Sequence, residues 1–277
     1  MKKLFLWIRI CRPQTLFASL CPVLCGLMVS GVKNSVTAWL TAICALGLQI
    51  LANLINDYYD FQRGTDKAGR VGYKRALAEG EVTRRQVIIA VGFCLFAVIV
   101  TGLVLVLQGG WPILLIGLTA ILFAWLYTAT GKSLSYLGIA DIFVWLYYGV
   151  IATMGTVFLQ TGEWHGFWIG SCCGLISMCV LIINNLRDYE DDLQAGKKTF
   201  PVRFGKRAGL IGMLLIILCV PACAYEAYGW NWAMLVFVPL IALFLLVSRA
   251  EGSQYNPCLL GAGLCNLIFT GLLYLSI

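Results

Sequence analysis

The acidic side chains of this 277-residue chain are concentrated in two places. Nine of the thirteen Asp and Glu residues lie within residues 57–81 and 188–192, and each of these regions follows a long apolar stretch. The first cluster reads NLINDYYDFQRGTD from residue 53 to 66. The second reads NNLRDYEDDLQAGKKT from residue 184 to 199. The chain therefore repeats one kind of acidic segment at two distant positions.

The spacing within each cluster places its polar residues on one side of a helix. In the first cluster the positions are i, i+3, i+4 and i+7, which share one face if the helix continues. These residues are Asn53, Asn56, Asp57 and Asp60. The second cluster repeats the positions i, i+3 and i+7 with Asn185, Asp188 and Asp192. We therefore expect two matching polar faces that meet across a bundle.

Carboxylate and amide oxygens in this arrangement suit Mg²⁺, which takes oxygen ligands from a few carboxylates, waters and substrate phosphates. Each cluster also carries cations that can bind the phosphate oxygens left free by the metal. They are Arg63 and Lys67 in the first cluster and Arg187, Lys197 and Lys198 in the second. The two clusters together predict a site for a metal-bound diphosphate.

The sequence leaves two alternatives to a magnesium site. The twelve cysteines lie almost entirely within apolar stretches, no pair of CxxC elements occurs, and His165 is the single histidine. Zinc and haem ligation are therefore disfavoured. The acids could also be ordinary solvated loop charges. However, an acid at the centre of a membrane helix costs about 2.5–3.5 kcal/mol, and such residues are expected at functional sites.

The elements that position these residues are membrane helices. Hydrophobic residues make up 60% of the chain and charged residues 12%, about half the charge of a soluble domain. This composition excludes a soluble enzyme, a nucleic-acid-binding protein and a secreted disulfide framework. We predict an all-α membrane protein, because the apolar stretches are continuous and long enough to span a bilayer. The nine predicted spans are 14–32, 36–56, 86–107, 111–129, 134–159, 166–186, 208–228, 231–248 and 257–277.

The basic residues predict the orientation. With a cytoplasmic N-terminus, 19 of the 20 Lys and Arg residues lie inside and only Lys33 lies outside, which is a strong positive-inside bias. The C-terminus is then outside, and topology explains the net charge of +7 without nucleic acid. We expect residues 1–277 to form one domain with cytoplasmic loops at 57–85 and 187–207. Residues 1–20 are interpreted as an uncleaved interfacial helix rather than a signal peptide.

At its two acidic clusters the chain resembles the UbiA superfamily of membrane-embedded aromatic prenyltransferases. The resemblance covers most of the chain and is greatest to the branch that acts on 1,4-dihydroxy-2-naphthoate. It rests on RPQTL, NDYYDFQRGTD, VGYKRALAEGEVT, YLGIADIFVWLYYGVIATMGTVFLQTG and NNLRDYEDDLQAGKKTFPVRFG. It implies nine transmembrane helices around a central cavity in the inner membrane. It also implies a Mg²⁺ cofactor and, as partners, a polyprenyl diphosphate, an aromatic acceptor and the bilayer, with no protein partner.

The resemblance also implies roles for individual residues. The residues with a catalytic role are Asp57, Asp60, Asp188, Asp192, Lys132 and Tyr127. The metal ligands are Asp57, Asp60, Asp66, Asp188 and Asp192, and Asp191 is a weaker candidate for a ligand. The substrate-binding residues are Arg12, Asn53, Asn56, Arg63, Lys67, Asn185, Arg187 and Lys197. Lys132 departs from the family pattern because its linker TATGKSLSY lacks the expected prolines, so a membrane-anchoring role is the alternative for this lysine.

The expected reaction begins with ionisation of the allylic C–O bond as the metal and basic residues stabilise the diphosphate. Aromatic faces then shield the allylic cation. The candidates are Tyr58, Tyr59, Phe61, Tyr127, Tyr136, Phe143, Trp145, Tyr147 and Tyr148. An acceptor ring carbon attacks, and loss of the carboxylate gives demethylmenaquinone, with Arg12 or Lys132 as candidate anchors for that carboxylate. The alternatives are another acceptor, such as 4-hydroxybenzoate, homogentisate or haem, a divalent-cation or phospholipid transporter, and a structural membrane subunit.

Overall fold

The structure, a computed structural model, describes residues 2–64, 72, 75–129 and 138–277, and its regular elements within these ranges are helical. The α-helices are α1 (Lys2–Ile10), α2 (Pro13–Ser30), α3 (Ser35–Gln62), α4 (Arg84–Leu126), α5 (Ala140–Trp145), α6 (Ala152–Thr161), α7 (Phe167–Arg187), α8 (Tyr189–Gln194), α9 (Phe200–Phe204), α10 (Lys206–Tyr228), α11 (Phe237–Val247) and α12 (Tyr255–Tyr274). A π-helical turn (Leu146–Ile151) joins α5 to α6, and short 3₁₀ turns at Trp232–Val236 and Gly252–Gln254 precede α11 and α12.

The prediction of an all-α membrane protein is confirmed. In the ranges that the structure describes, seven helices are long and apolar enough to cross a membrane, and Trp232–Val247 is a shorter apolar segment. Each of the nine predicted spans overlaps one of these eight segments. The difference of one arises because α4 covers two predicted spans.

Helix α4 folds back on itself at Gly110, whose backbone angles are φ 67° and ψ −154°. Glycine adopts this region without the steric cost of a Cβ atom. At one end of α4, the Arg84 guanidinium lies 5.1 Å from the centre of the Phe61 ring. At the other end, the Trp125 ring lies 6.0 Å from that of Tyr59. Both ends of α4 therefore lie beside the last turns of α3. We name its two parts the first arm (residues 84–109) and the second arm (residues 111–126).

Helix α3 extends further than the predicted second span. It begins after Asn34, whose side chain accepts a hydrogen bond from the Thr37 N–H, and continues to Gln62. The predicted loop 57–85 was therefore wrong at its start, because no helix-breaking residue occurs before Gly64, which has φ 67°. The predicted loop 187–207 likewise contains the two short helices α8 and α9.

The helix predicted over residues 1–20 is interrupted, and its second part belongs to α2, which corresponds to the predicted span 14–32. Helix α1 ends at Ile10, and α2 begins at Pro13. The break falls at Arg12, which adopts the left-handed region with φ 52° and is the only non-glycine residue with positive φ in the described ranges. Pro13 favours this break, because proline fits the first position of a helix but disfavours helical backbone in the residue before it.

Helices α5 and α6, with the π-helical turn between them, pack directly against α7 through glycines. A Cβ atom added to Gly149 would lie 2.4 Å from the Gly170 carbonyl oxygen, and one added to Gly174 would lie 2.4 Å from the Trp145 carbonyl oxygen. Neither position has room for a side chain. The close approach of these backbones fixes one wall of the bundle, as small residues do in membrane helix packing.

The core is concentrated on one side of the bundle. Buried residues of α7, α10, α11 and α12 form one large apolar cluster, together with Cys25 of α2. In the most apolar stretch of α7, 67% of the residues are buried, against 11% in α4. Helix α4 therefore exposes most of its apolar surface, as a helix facing lipid does.

Candidate functional site

A cavity of about 490 Å³ lies between α2, α3, both arms of α4, the α5–α6 segment and α7. Its size falls within the range of about 300–1,000 Å³ typical of small-molecule sites. The end beside the C-terminal turns of α3 and α7 is lined by charged and amide side chains. The remainder is lined by aliphatic and aromatic residues. The cavity thus provides a polar end for a charged group and an apolar length for a hydrocarbon.

The polar end brings together residues from both acidic clusters. From the first cluster, Asn53, Asn56 and Asp60 line the cavity on consecutive turns of α3. Asp57 is also on this face but is only 5% exposed and is not part of the lining. The shared-face prediction is confirmed for the three lining residues. Asp57 contacts the cavity only indirectly, because its carboxylate is bonded to Arg12 and Arg75, which line it.

Asp57 holds two arginines that line the cavity. The Arg75 Nη1 donates to Asp57 Oδ1 at 2.8 Å, and the Arg12 Nη2 donates to the same oxygen. The side chains of both arginines are largely buried, with 14% of Arg12 and 12% of Arg75 exposed. Asp57 therefore orients two guanidinium groups toward the cavity, and its carboxylate compensates part of their buried charge.

A polar network fixes the backbone beside Arg12. The Asn53 Nδ2 donates to the Cys11 carbonyl at 3.2 Å and to Thr15 Oγ1 at 3.0 Å. The Gln49 Nε2 donates to Thr15 Oγ1 at 3.1 Å, and Thr15 Oγ1 in turn donates to the Arg12 carbonyl at 2.9 Å. The amide nitrogen of Asn53 thus binds both sides of the junction between α1 and α2. The left-handed conformation of Arg12 is stabilised by these contacts.

In the second cluster, Arg187 makes a two-point contact with its neighbour Asp188. Its Nε donates to Asp188 Oδ1 at 2.7 Å and its Nη2 to Asp188 Oδ2 at 2.8 Å. The same guanidinium donates to Asn184 Oδ1 at 2.7 Å and to Asn256 Oδ1 of α12 at 3.1 Å. Only 2% of the Arg187 side chain is exposed. A planar guanidinium is suited to this set of simultaneous bonds.

Asp192 lies on α8, beyond the end of α7, and its Oδ1 is 3.1 Å from the Lys197 ammonium. Burial, with smaller contributions from the nearby charges of Asp188 and Asp60, raises the pKa of Asp192 to about 6 against the opposing effect of Lys197. Asp60 of the first cluster and Asp192 of the second both line the polar end. The two acidic clusters therefore face each other there, as expected.

The oxygen donors at the polar end fit Mg²⁺. Asp60, Asp188 and Asp192 contribute carboxylates to the lining. The buried Asn56 Oδ1 has no hydrogen-bond partner among the described residues. In the same ranges, no three His, Cys, Asp or Glu side chains are close enough to enclose a metal ion. This arrangement suits an ion that takes several of its ligands from substrate phosphates and water.

Ten predicted site residues line the cavity, and the others are distributed as follows. Those in the lining are Arg12, Asn53, Asn56, Asp60, Tyr127, Asn185, Arg187, Asp188, Asp192 and Lys197, and Asp191 joins them. Asp57 and Arg63 are described but are not part of the lining. Asp66, Lys67 and Lys132 lie outside the described residues. The residues of the first acidic cluster that line the cavity therefore all belong to α3.

Sequence analysis missed three polar residues of this site. Arg75 and Asn184 line the cavity, and Asn256 holds Arg187 from another helix. Arg75 lies in the VGYKRALAEGEVT segment, so the resemblance offered a signal for it. Asn256 is 69 residues from its partner, and no local pattern connects the two.

Aromatic rings border the cavity next to its polar end. The Phe123 ring lies 4.4 Å from that of Phe143 and 5.0 Å from that of Tyr147. These three residues line the cavity together with Tyr127 and Tyr148. Ring faces at this place suit a carbocation, because the face of an aromatic ring carries partial negative charge.

The sequence matches known proteins over almost its whole length. The model of the UbiA prenyltransferase family matches residues 19–274. The chain is 32% identical over 279 residues to the 1,4-dihydroxy-2-naphthoate octaprenyltransferase of Mycobacterium leprae, covering 95% of this chain and 92% of the relative. It is 30% identical over 294 residues to the enzyme of the same name from Escherichia coli, covering 98% of this chain and 95% of the relative.

A solved structure shares the fold. The UbiA homolog from Archaeoglobus fulgidus, bound to DMAPP and Mg²⁺, superposes with a TM-score of 0.70 at 20% sequence identity. The superposition covers 96% of this chain and 96% of the homolog. The two proteins therefore share one fold.

Proposed function

Because the chain belongs to the UbiA prenyltransferase family, we propose that it transfers a polyprenyl group from a polyprenyl diphosphate to 1,4-dihydroxy-2-naphthoate. The family makes it a membrane-embedded prenyltransferase, and relatives named for this acceptor share 30–32% of its residues over nearly the full length. One observation carries the proposal: both acidic clusters and their cations line one end of a cavity that is otherwise apolar and aromatic. The transporter and structural-subunit alternatives do not agree with this family.

The cations of the polar end bind the diphosphate of the substrate. Arg12, Arg75, Arg187 and Lys197 all line the cavity. Their side chains are held by carboxylates in the structure, which limits the reorganisation needed when the diphosphate enters. The metal, when bound by the oxygens of Asp60, Asp188 and Asp192, supplies Lewis-acid stabilisation of the leaving oxygen. As the allylic C–O bond breaks, its electron pair passes to the diphosphate, and these cations offset the added charge.

The apolar part of the cavity protects the allylic cation from water. Phe123, Phe143 and Tyr147 place ring faces beside the polar end, and each such contact contributes about 0.5–2 kcal/mol. A ring carbon of the acceptor then forms the new C–C bond. The acceptor carboxylate leaves as carbon dioxide, and the product is demethylmenaquinone in its reduced, dihydroxy form. Besides the diphosphate, Arg12 holds the carboxylate of the acceptor before it leaves.

The distribution of basic residues along the chain supports an orientation in the membrane. We propose that the N-terminus and the polar end face the cytoplasm, that the C-terminus faces outward, and that the protein resides in the inner membrane. The positive-inside bias of the chain supports this orientation. The water-soluble acceptor then reaches the polar end from the cytoplasm, while the polyprenyl chain remains within the apolar part of the bundle.

A paired acceptor assay tests the proposal. Membranes containing the protein, Mg²⁺ and a long-chain polyprenyl diphosphate are offered 1,4-dihydroxy-2-naphthoate or 4-hydroxybenzoate, and the lipid product is identified by mass. We expect prenylated naphthoquinol with loss of carbon dioxide. Membranes with an Asp60→Asn variant serve as the matched control. Product from 4-hydroxybenzoate alone would keep the prenyl transfer but reassign the acceptor, and no product from either would contradict the proposed reaction.

A further inference from the structure

Three glycines line the apolar part of the cavity at positions that have room for a larger side chain. They are Gly102 in the first arm of α4, Gly117 in the second arm and Gly155 in α6. Beyond the adjoining backbone of its own helix, a Cβ atom added to Gly102 or Gly117 would have no atom within 4 Å. One added to Gly155 would meet only the Ile116 Cδ1, at the ordinary contact distance of 3.8 Å. Helix packing therefore does not explain the absence of a side chain at these positions.

Two other glycines of the spanning helices are explained by packing. A Cβ atom at Gly26 would lie 2.7 Å from the Thr153 carbonyl oxygen, and one at Gly47 would lie 2.8 Å from Val98 Cγ2. Close contact therefore explains the absence of a side chain at those two positions. At the three cavity glycines, the space that a side chain would fill belongs to the cavity.

The π-helical turn gives Gly155 its position in the cavity wall. Every fourth residue of the segment lines the cavity, namely Phe143, Tyr147, Ile151, Gly155 and Leu159. In a regular α-helix the first and last of these would point about 160° apart, because each residue turns about 100°. The wider π-helical turn rotates less per residue. It thereby holds the aromatic residues near the polar end and Gly155 in one wall.

The three glycines lie at a similar depth. The two arms of α4 meet at Gly110, and Gly102 lies eight residues before this turn while Gly117 lies seven residues after it. The Cβ position of Gly155 contacts Ile116, the neighbour of Gly117. Gly117 is nine residues from Leu126, which at about 1.5 Å per residue is roughly 14 Å along the second arm. A hydrocarbon that enters with its charged group at the polar end therefore passes all three glycines at one level of the cavity.

We propose that Gly117, Gly155 and Gly102 determine the length of polyprenyl chain that the enzyme accepts. Together they leave a gap in the wall at one level of the cavity, and an isoprene unit of the donor fills this gap. This inference rests on the proposed prenyl transfer and adds the residues that select the donor. A larger side chain at any of the three sites shortens the accepted chain to the length that ends before it.

The test replaces each glycine with leucine and measures kcat/KM for allylic diphosphates of two, four, six and eight isoprene units. In the Gly117→Leu variant we expect the ratio of long-chain to short-chain kcat/KM to fall at least about tenfold, the scale at which apolar pockets discriminate by size. Gly155→Leu and Gly102→Leu should lower the ratio for the same donors as Gly117→Leu does, because the three glycines lie at one level of the cavity. Gly155→Ala, a smaller change at the buried site, should give a weaker shift in the same direction.

Gly92→Leu and Gly271→Leu are matched controls, because these glycines also have no atom within 4 Å of an added Cβ but do not line the cavity. The ratio in both should equal that of the unmodified protein. An unchanged ratio in all three cavity variants, with the unmodified protein active, would overturn the inference and leave the prenyl transfer standing. Absence of product from the unmodified protein with every donor would instead overturn the proposed function.

Discussion

The two acidic clusters share a sequence pattern, yet the structure neutralises them in different ways. In the first cluster, Asp57 is held by Arg12 and Arg75, which lie 45 residues before it and 18 residues after it. In the second, Asp188 is held by its neighbour Arg187, and Asp192 by Lys197, five residues further on. One half of the site is therefore assembled from three parts of the chain, and the other is contained in one segment.

The counter-charges of the two clusters therefore depend on different parts of the fold. The second cluster has its counter-charges wherever α7 and α8 form, because they belong to the same segment. The first depends on the junction of α1 with α2 and on the turn that carries Arg75. On the side of the first cluster, the polar end is therefore complete only when these distant segments have packed against α3. The comparison can be tested by removing charges from each side.

The largest effect is expected from Asp188→Asn and Asp57→Asn. Both changes remove a buried negative charge that holds arginines at the polar end, and we expect each to lower kcat by about 10²–10³-fold. The measurement is product formation by purified protein in detergent, with gel-filtration profiles to verify folding. Near-normal turnover in either variant would show that its cluster is not needed for the reaction.

A smaller and unequal effect is expected when arginines are replaced by lysine. Arg187→Lys loses the two-point contact and cannot reach Asn184 and Asn256 at the same time, so we expect kcat/KM to fall about 100-fold. Arg12→Lys should cost about tenfold, because Arg75 still contacts Asp57. Steady-state kinetics with varied diphosphate measures both. Equal losses would refute the difference between the clusters.

The pH dependence of metal binding reports on Asp192. Because burial raises the pKa of this carboxyl to about 6, it is protonated below that pH and does not bind a cation in that form. The Mg²⁺ concentration for half-maximal activity should therefore increase about tenfold from pH 7 to pH 5. Asp192→Asn should remove this dependence. Lys197→Met removes the charge that lowers the pKa, so its profile should move to higher pH, and a move to lower pH would contradict the assignment.

The smallest effect is expected at the ion pair of Arg9 with Glu81, which ties α1 to the segment before α4. The side chains are 43% and 38% exposed, and exposed pairs contribute less than about 1 kcal/mol. Glu81→Gln should leave the thermal midpoint in detergent within about 4 °C of the parent value. A larger shift would mean that this pair, rather than the buried contacts of Asp57, determines how the first cluster is assembled.

Sequence patterns predicted the membrane helices and the polar faces because both depend on local periodicity. The apolar stretches are long, and Asn53, Asn56 and Asp60 follow the helical repeat onto the cavity wall. What could not be predicted depends on contacts between distant segments. Asp57 turns toward Arg12 and Arg75, and Asn256 meets Arg187 from another helix. The π-helical turn was also missed, because the residues of LYYGVI fit an ordinary α-helix equally well.

The glycine contacts between the α5–α6 segment and α7 also affect how the protein can move. Backbones that leave no space for a Cβ atom at Gly149 and Gly174 cannot slide past each other without losing contact, so these helices behave as one rigid body. The opposite wall is different, since 11% of the apolar stretch of α4 is buried. We therefore expect the hairpin that turns at Gly110 to move more than the α5–α7 wall when the cavity opens.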